Sequence, residues 1–260
     1  MKPRFPLSVV LALLMLAPAM AAEKKPPVLN IGGVDKPGGT IKGVVKFEGK
    51  KIEPKKKKWI RMNADNICAG KHPKPLRPET YVWGKNDTLQ NVLVFISKGL
   101  EGKAFDLPKK PAVIDQNGCL YAPHVSGVVA GQPIAILNSD NTSHNVKMKS
   151  KKNGTFNQMM IKEQVIPKTL GKPEMGVQFK CDVHPWMGAY IHVMEHPFFA
   201  VTQADGTFTI KGLPPGDYEL SVWHEFKIFK PVEKTIKVSV AEGETKQVSF
   251  TYKPPTRKKK

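Results

Sequence analysis

Two strand-like segments joined by a short loop of metal-binding side chains constrain this chain more than any other feature. Val177-Gln-Phe-Lys180 alternates apolar and polar residues straight into Cys181, and Ala189-Tyr-Ile-His-Val-Met194 reads as the strand that leaves the loop. Between them, Cys181-Asp-Val-His184-Pro-Trp-Met187 offers a thiolate, an imidazole and a thioether within seven residues. Zinc takes thiolate and imidazole readily but rarely recruits a thioether. Copper takes all three, and a trigonal His₂Cys set with a weak axial Met is the donor set of a blue copper centre. Such a set needs a second imidazole from elsewhere in the chain. Asn141-Thr-Ser-His144-Asn145-Val146 offers one at the end of an apolar strand.

The rest of the sequence points to an all-β protein. No segment sustains a 3.6-residue apolar period, and 23 Pro with 21 Gly punctuate the chain throughout. Strands are predicted at Thr40–Phe47, Gln90–Ile96, Ala112–Ile114, Val128–Ala130, Ile134–Leu137 and Val146–Met148. The Lys/Pro-rich stretch 51–80 reads as a long, partly extended loop in which His72, between Lys71 and Pro73, is solvated. At the start, Met1-Lys-Pro-Arg4 precedes an apolar run from Leu7 to Met20 and an Ala19-Met-Ala21 site. This is the pattern of a secretory signal peptide over 1–22, too short to span a bilayer comfortably and with no lipid-anchor Cys, followed by a flexible leader at 23–37. An exported, periplasmic or extracellular protein is expected.

The net charge is +19 and stays strongly positive when Lys2 and Arg4 leave with the signal peptide. Much of it lies in Lys55-Lys-Lys-Lys58 and in a basic tail at 253–260. A balance of this sign favours anionic partners: an acidic protein face, or peripheral contact with an anionic envelope surface. No nucleic acid is expected, since the chain is exported and carries no helical recognition motif.

The pattern C-x2-H-x2-M followed by a strand, with a distant His144-Asn145-Val146, resembles the cupredoxins, the type 1 blue copper family, in their amicyanin- and plastocyanin-like form. Pro185, Trp186 and the earlier Met159-Met160-Ile-Lys-Glu-Gln164 share in the resemblance, which covers roughly residues 120–195. It implies a Greek-key β-sandwich holding one type 1 copper ion by His144, Cys181, His184 and Met187. It implies further that Asn145 braces the Cys loop. Pro185 and Trp186 would flank a His184 whose edge lies at the surface as the electron port. The expected role is single-electron carriage to a redox partner protein with an acidic docking face, not enzymatic catalysis. With Cys181 on the metal, Cys68 and Cys119 form an even pair in an oxidising compartment, where a disulfide is expected. No C-x-x-C-H occurs for covalent haem, and one Cys in the loop argues against a dinuclear copper centre.

The last third differs. Thr202-Gln-Ala-Asp-Gly206-Thr-Phe-Thr-Ile210 and Gly212-Leu-Pro-Pro-Gly216-Asp-Tyr-Glu-Leu220 resemble the carboxypeptidase regulatory-like domain, a transthyretin-like β-sandwich. Its usual opening strands are missing there but present at Gly39-Thr-Ile-Lys-Gly43-Val-Val and Asn91-Val-Leu-Val-Phe. A second, smaller and discontinuous sandwich over 38–110 and 198–252 follows, with the cupredoxin of 111–197 inserted. The alternative is a cupredoxin of 38–197 followed by a small module. His124, His192, His196 and His224 carry no assigned role and read as hydrogen-bonded structural residues. Met148, Met159, Met160 and Met175 read as core. A non-redox copper-binding or adhesion module of the cell envelope is the competing function.

Overall fold

The computed structural model describes residues 38–55 and 58–254. The signal and leader at 1–37, Lys56 and Lys57, and residues 255–260 of the tail lie outside the described residues. Among the described residues the regular structure is nearly all strand, in agreement with the missing helical period. The chain opens with β1 (Gly39–Phe47), β2 (Val82–Trp83), β3 (Leu89–Gln90) and β4 (Leu93–Lys98). There follow β5 (Ala112–Asn117), β6 (Leu120–Ala122), β7 (Val125–Val129), β8 (Pro133–Asn138), β9 (His144–Lys149), β10 (Phe156–Met160), β11 (Val165–Thr169), β12 (Glu174–Lys180) and β13 (Gly188–Met194). It closes with β14 (Phe199–Val201), β15 (Thr207–Leu213), β16 (Gly216–Trp223), β17 (Lys230–Pro231), β18 (Thr235–Val240) and β19 (Thr245–Lys253).

One sandwich draws on both ends of the chain. β1 runs antiparallel to β15 and parallel to β19, giving the order β15-β1-β19-β17. The second sheet, β14-β4-β16-β18, is likewise assembled around an early strand. Ile41, Val45 and Phe47 from β1, Val94 and Ile96 from β4, Phe208, Ile210 and Leu220, and Phe250 with Tyr252 form its buried core. Gly43 is required at its position, because a Cβ there would lie 1.9 Å from the Val248 carbonyl oxygen of β19. The run expected from Gln90 to Ile96 is split into β3 and β4 by Asn91, which has a positive φ of 63°.

Residues 112–194 supply two further sheets, β10-β9-β12-β13-β7 and β11-β8-β5-β6. Their core includes Ile114, Tyr121, Ile136, Val146, Phe179 and Ile191. β14 pairs with β4, Phe199 opposite Phe95, so the chain returns from this segment beside the strand it left. Leu93 and Phe199 of the first sandwich pack with Val129 and Met194 of the second, and Gly127 leaves room for the Phe199 ring. β10 and β11, which pair with β9 and β8 in the two different sheets, have no counterpart among the predicted strands. Their positions are mostly polar or exposed, so no alternation marks them.

The 51–80 stretch departs from the expected loop by forming α1 (Asn66–Lys71), a six-residue helix. Asp65 caps it by accepting the Cys68 backbone N–H at 2.8 Å, an N-cap that stabilises so short a helix by about 1 kcal/mol. Cys68 is disulfide-bonded to Cys119 in the β5–β6 turn. His72 is half-buried rather than solvated, its Nε2 lying 2.7 Å from the Gly118 carbonyl oxygen.

Candidate metal centre

The sheet brings His144 and Cys181 together. His144 opens β9, Cys181 directly follows β12, and these two strands are neighbours, with Lys147 opposite Lys180. The loop after Cys181 then folds back on its sulfur. The backbone N–H groups of His184 and Asn145 donate to the Cys181 Sγ at 3.3 and 3.2 Å. Met187 N–H donates to the His184 carbonyl at 2.9 Å, closing the turn. Asn145 Oδ1 accepts the Asp182 N–H at 3.1 Å, which ties the loop to β9.

The His144, Cys181 and His184 donor atoms all lie within 4.8 Å of one another, in a buried pocket. The two Nδ1 atoms face each other at 2.9 Å, and the Cys181 Sγ is 3.9 Å from the His184 Nδ1. Met187 is 1 % exposed and packs in the same apolar cluster as Cys181. Each imidazole is engaged by a carboxylate at its outer nitrogen. His144 Nε2 lies 2.8 Å from Asp140 Oδ2, and His184 Nε2 lies 3.3 Å from Asp65 Oδ2. A carboxylate only accepts, so both Nε2 atoms carry a proton and both Nδ1 atoms turn inward. At 2.9 Å the two Nδ1 atoms share either a proton, with His144 as the donor, or a metal cation held between them. The donor separations are those of one ion about 2.0–2.3 Å from each atom, and the mixed N/S donors fit a first-row metal.

The electrostatics agree with a thiolate. Burial pushes the Cys181 thiol up, but hydrogen bonds from His144 and the Asn145 and His184 N–H groups outweigh it and hold its pKa below the ordinary value. Burial also opposes ionisation of Asp140. Its bonds from His144, Lys71 and the Cys119 N–H win, and its pKa falls to about 2. His144 is raised despite burial, by Asp140 and Cys181. His184 is lowered, by burial first and by the His144 charge, against the pull of Asp65.

His184 does not reach the surface. Its side chain is 2 % exposed, because Asp65, Cys68 and Trp186 cover it. Cys68 Sγ lies 3.9 Å from His184 Nε2, and the Trp186 ring centroid is 5.0 Å from the His184 ring. Trp186 donates its indole N–H to the Cys119 carbonyl at 3.0 Å. Pro185 remains exposed beside it. The surface electron port expected from the family resemblance is therefore closed at this edge by α1 and its disulfide.

Asp65 and Asp140 were not legible as site residues. Asp140, close to His144 in sequence, was the only one with a local signal. Among the other histidines, none joins a metal-binding cluster among the described residues. His124 Nε2 is bonded to Glu225 at 2.7 Å, His196 Nε2 lies 2.9 Å from the Ile96 carbonyl oxygen, and His192 and His224 accept backbone N–H groups. Of the methionines expected in the core, Met148 and Met160 are buried, whereas Met159 and Met175 are 54 % and 41 % exposed. A groove of about 800 Å³ opens elsewhere, past Tyr190 and Trp223, and none of the four candidate ligands lines it.

Residues 184–258 match the β-sandwich domain family of ER membrane protein complex subunit 7. That match shares the β-sandwich class with the ladder read from the sequence, but it is not the carboxypeptidase regulatory-like family. No curated protein matches the chain significantly. Among solved structures, the copper-containing nitrite reductase of Thermus scotoductus SA-01 is similar at 19 % identity and a TM-score of 0.32, over 38 % of this chain and 26 % of that one. The chain thus spans about a quarter of that enzyme's length. A reduced amicyanin variant is similar at 23 % identity and 0.31, over 34 % of this chain and 87 % of its own. A purple cupredoxin of Nitrosopumilus maritimus is similar at 17 % identity and 0.28, over 32 % of this chain and 99 % of its own.

Proposed function

We propose that this chain is an exported copper protein that carries single electrons through one mononuclear site. The observation that supports it most is the pair of Nδ1 atoms at 2.9 Å beside a buried Cys181 with a depressed pKa. His144, Cys181 and His184 would hold the ion, with the buried Met187 of the same cluster as a weaker fourth donor. Copper would supply a one-electron couple. The protein's part is to present the donors from paired strands, so that little moves when the charge changes, and to exclude water from the sulfur.

Export rests on the signal-peptide pattern of residues 1–22 and fits the Cys68–Cys119 disulfide, a bond of oxidising compartments. The redox partner would be a protein with an acidic docking face, given a net charge of +19. No substrate is transformed in this reading. The burial of His184 favours one competitor, a copper-holding module without electron exchange.

The deciding measurement is the absorption spectrum of the copper(II) protein. An intense thiolate-to-copper band that vanishes in Cys181→Ser supports the site, and a Cys181→Ser variant that stays blue refutes it. Rapid oxidation of the copper(I) form by an acidic one-electron acceptor separates carrier from storage module. Exchange no faster than copper release would favour the module.

A further inference from the structure

We infer that Asp65 and Asp140 are positioning residues of the copper site, one clamping each imidazole from outside, and that they set its potential low. The inference rests on the copper reading above. It starts from a symmetry that is absent from the sequence: both outer nitrogens meet a carboxylate, supplied by two different parts of the chain.

Asp140 is fully buried and anchored from several sides. Gly118 and Cys119 N–H groups donate to it at 2.8 and 2.7 Å, and Lys71 forms an ion pair with it. Its remaining capacity goes to His144 Nε2. Asp65 is held by the Cys68 N–H at 2.8 Å and the Thr142 hydroxyl at 3.1 Å. Its Oδ2 faces His184 Nε2 across the edge that would otherwise meet solvent. The two clamps are linked. Lys71 of the helix that Asp65 caps is the partner of Asp140, and Cys68 of that helix is bonded to Cys119, whose N–H also binds Asp140. The lid over His184 and the anchor behind His144 are one connected assembly.

Two consequences follow from charge and tautomer. Carboxylate acceptors lock both rings as Nε2–H with Nδ1 free to ligate, and they make each imidazole a stronger donor. The negative charge of Asp65, and that of Asp140 as far as its ion pair with Lys71 leaves it, lies just outside the ligands and favours the more highly charged copper(II) over copper(I). Partners of this kind typically change metal affinity by 10- to 100-fold. A tenfold change confined to the copper(II) side is 59 mV for a one-electron couple.

The test has two readouts. In the metal-free protein, nitrogen NMR of the histidines should find Nε2 protonated in both His144 and His184, with slow solvent exchange that becomes fast at His184 in Asp65→Ala. In the copper protein, Asp65→Asn and Asp140→Asn should each raise the reduction potential by a tenfold shift in relative affinity or more, while the control Glu244→Gln leaves it unchanged. Because Asp140→Asn also disturbs the turn at 118–119, Asp65→Asn decides the question if the former fails to fold. An unprotonated Nε2 in either ring, or a blue Asp65→Asn protein with an unshifted potential, overturns the inference while sparing the copper reading. A wild-type protein without a thiolate band overturns the copper reading and the potential with it, and the NMR readout still decides whether the carboxylates orient the rings.

Discussion

At the scale of single residues, burial of neutral imidazoles gives the sandwiches a pH dependence separate from the candidate metal centre. His224 is 6 % exposed, and burial above all holds its pKa down to about 4; His192, completely enclosed, is held to about 3. Near pH 6.5 the unfolded chain begins to take up protons that the native state refuses, so stability falls as the pH drops from about 6.5 toward 4. The loss from His224 reaches about 3 kcal/mol at the foot of that window. Urea unfolding of the apoprotein should show it, and His224→Gln should flatten the slope between pH 6 and 4.5. Equal slopes in both proteins would refute the assignment. At the proposed copper site, Met187→Gln should keep copper and the thiolate band while lowering the potential, because an amide oxygen is a harder donor than a thioether. Loss of the ion instead would mean that Met187 carries more of the binding than a weak fourth donor would.

At the scale of elements, α1 is the one whose existence depends on its surroundings. Six residues cannot sustain a helix in water, and this one persists through its Asp65 cap, the Cys68–Cys119 bond and the docking of His72 on Gly118. The bond spans 51 residues of sequence. Loop entropy for a closure of that size gives roughly 4 kcal/mol, so Cys68→Ala with Cys119→Ala should lower the urea midpoint accordingly and leave His184 open to solvent. Thiol labelling of denatured, unreduced apoprotein should count one reactive cysteine, Cys181. Three would deny the bond.

At the scale of the whole molecule, the strand pairings dictate which pieces can fold alone. β15 and β19 both need β1, and β14 and β16 both need β4. A fragment of residues 198–260 lacks the central strands of both its sheets and should be unfolded by circular dichroism and hydrogen exchange. A fragment of 111–197 holds all four candidate ligands and both sheets of its own core, so it should fold and bind copper. Without Asp65 and α1 its potential should be higher than that of the full chain. A cooperatively folded 198–260 fragment would overturn this division.

What the sequence determined alone was whatever is encoded over a few residues. The alternation into Cys181 and out past Met187, the donors between them and the Pro and Gly punctuation made the all-β class and the candidate ligands readable, because side-chain periodicity and loop spacing are local. The His144-Asn145 pair was readable only by its likeness to a known pattern. Tertiary structure decided the rest. Asp65 lies far from His184 in the chain, and no local rule joins a helix cap to a distant imidazole. A disulfide and a buried carboxylate do so through space. The closed edge of His184 has the same origin: an apolar-poor, Lys-rich stretch looks solvated when read alone, yet one covalent link to Cys119 and the ion pair of Lys71 with Asp140 draw it over the Cys181–Met187 loop.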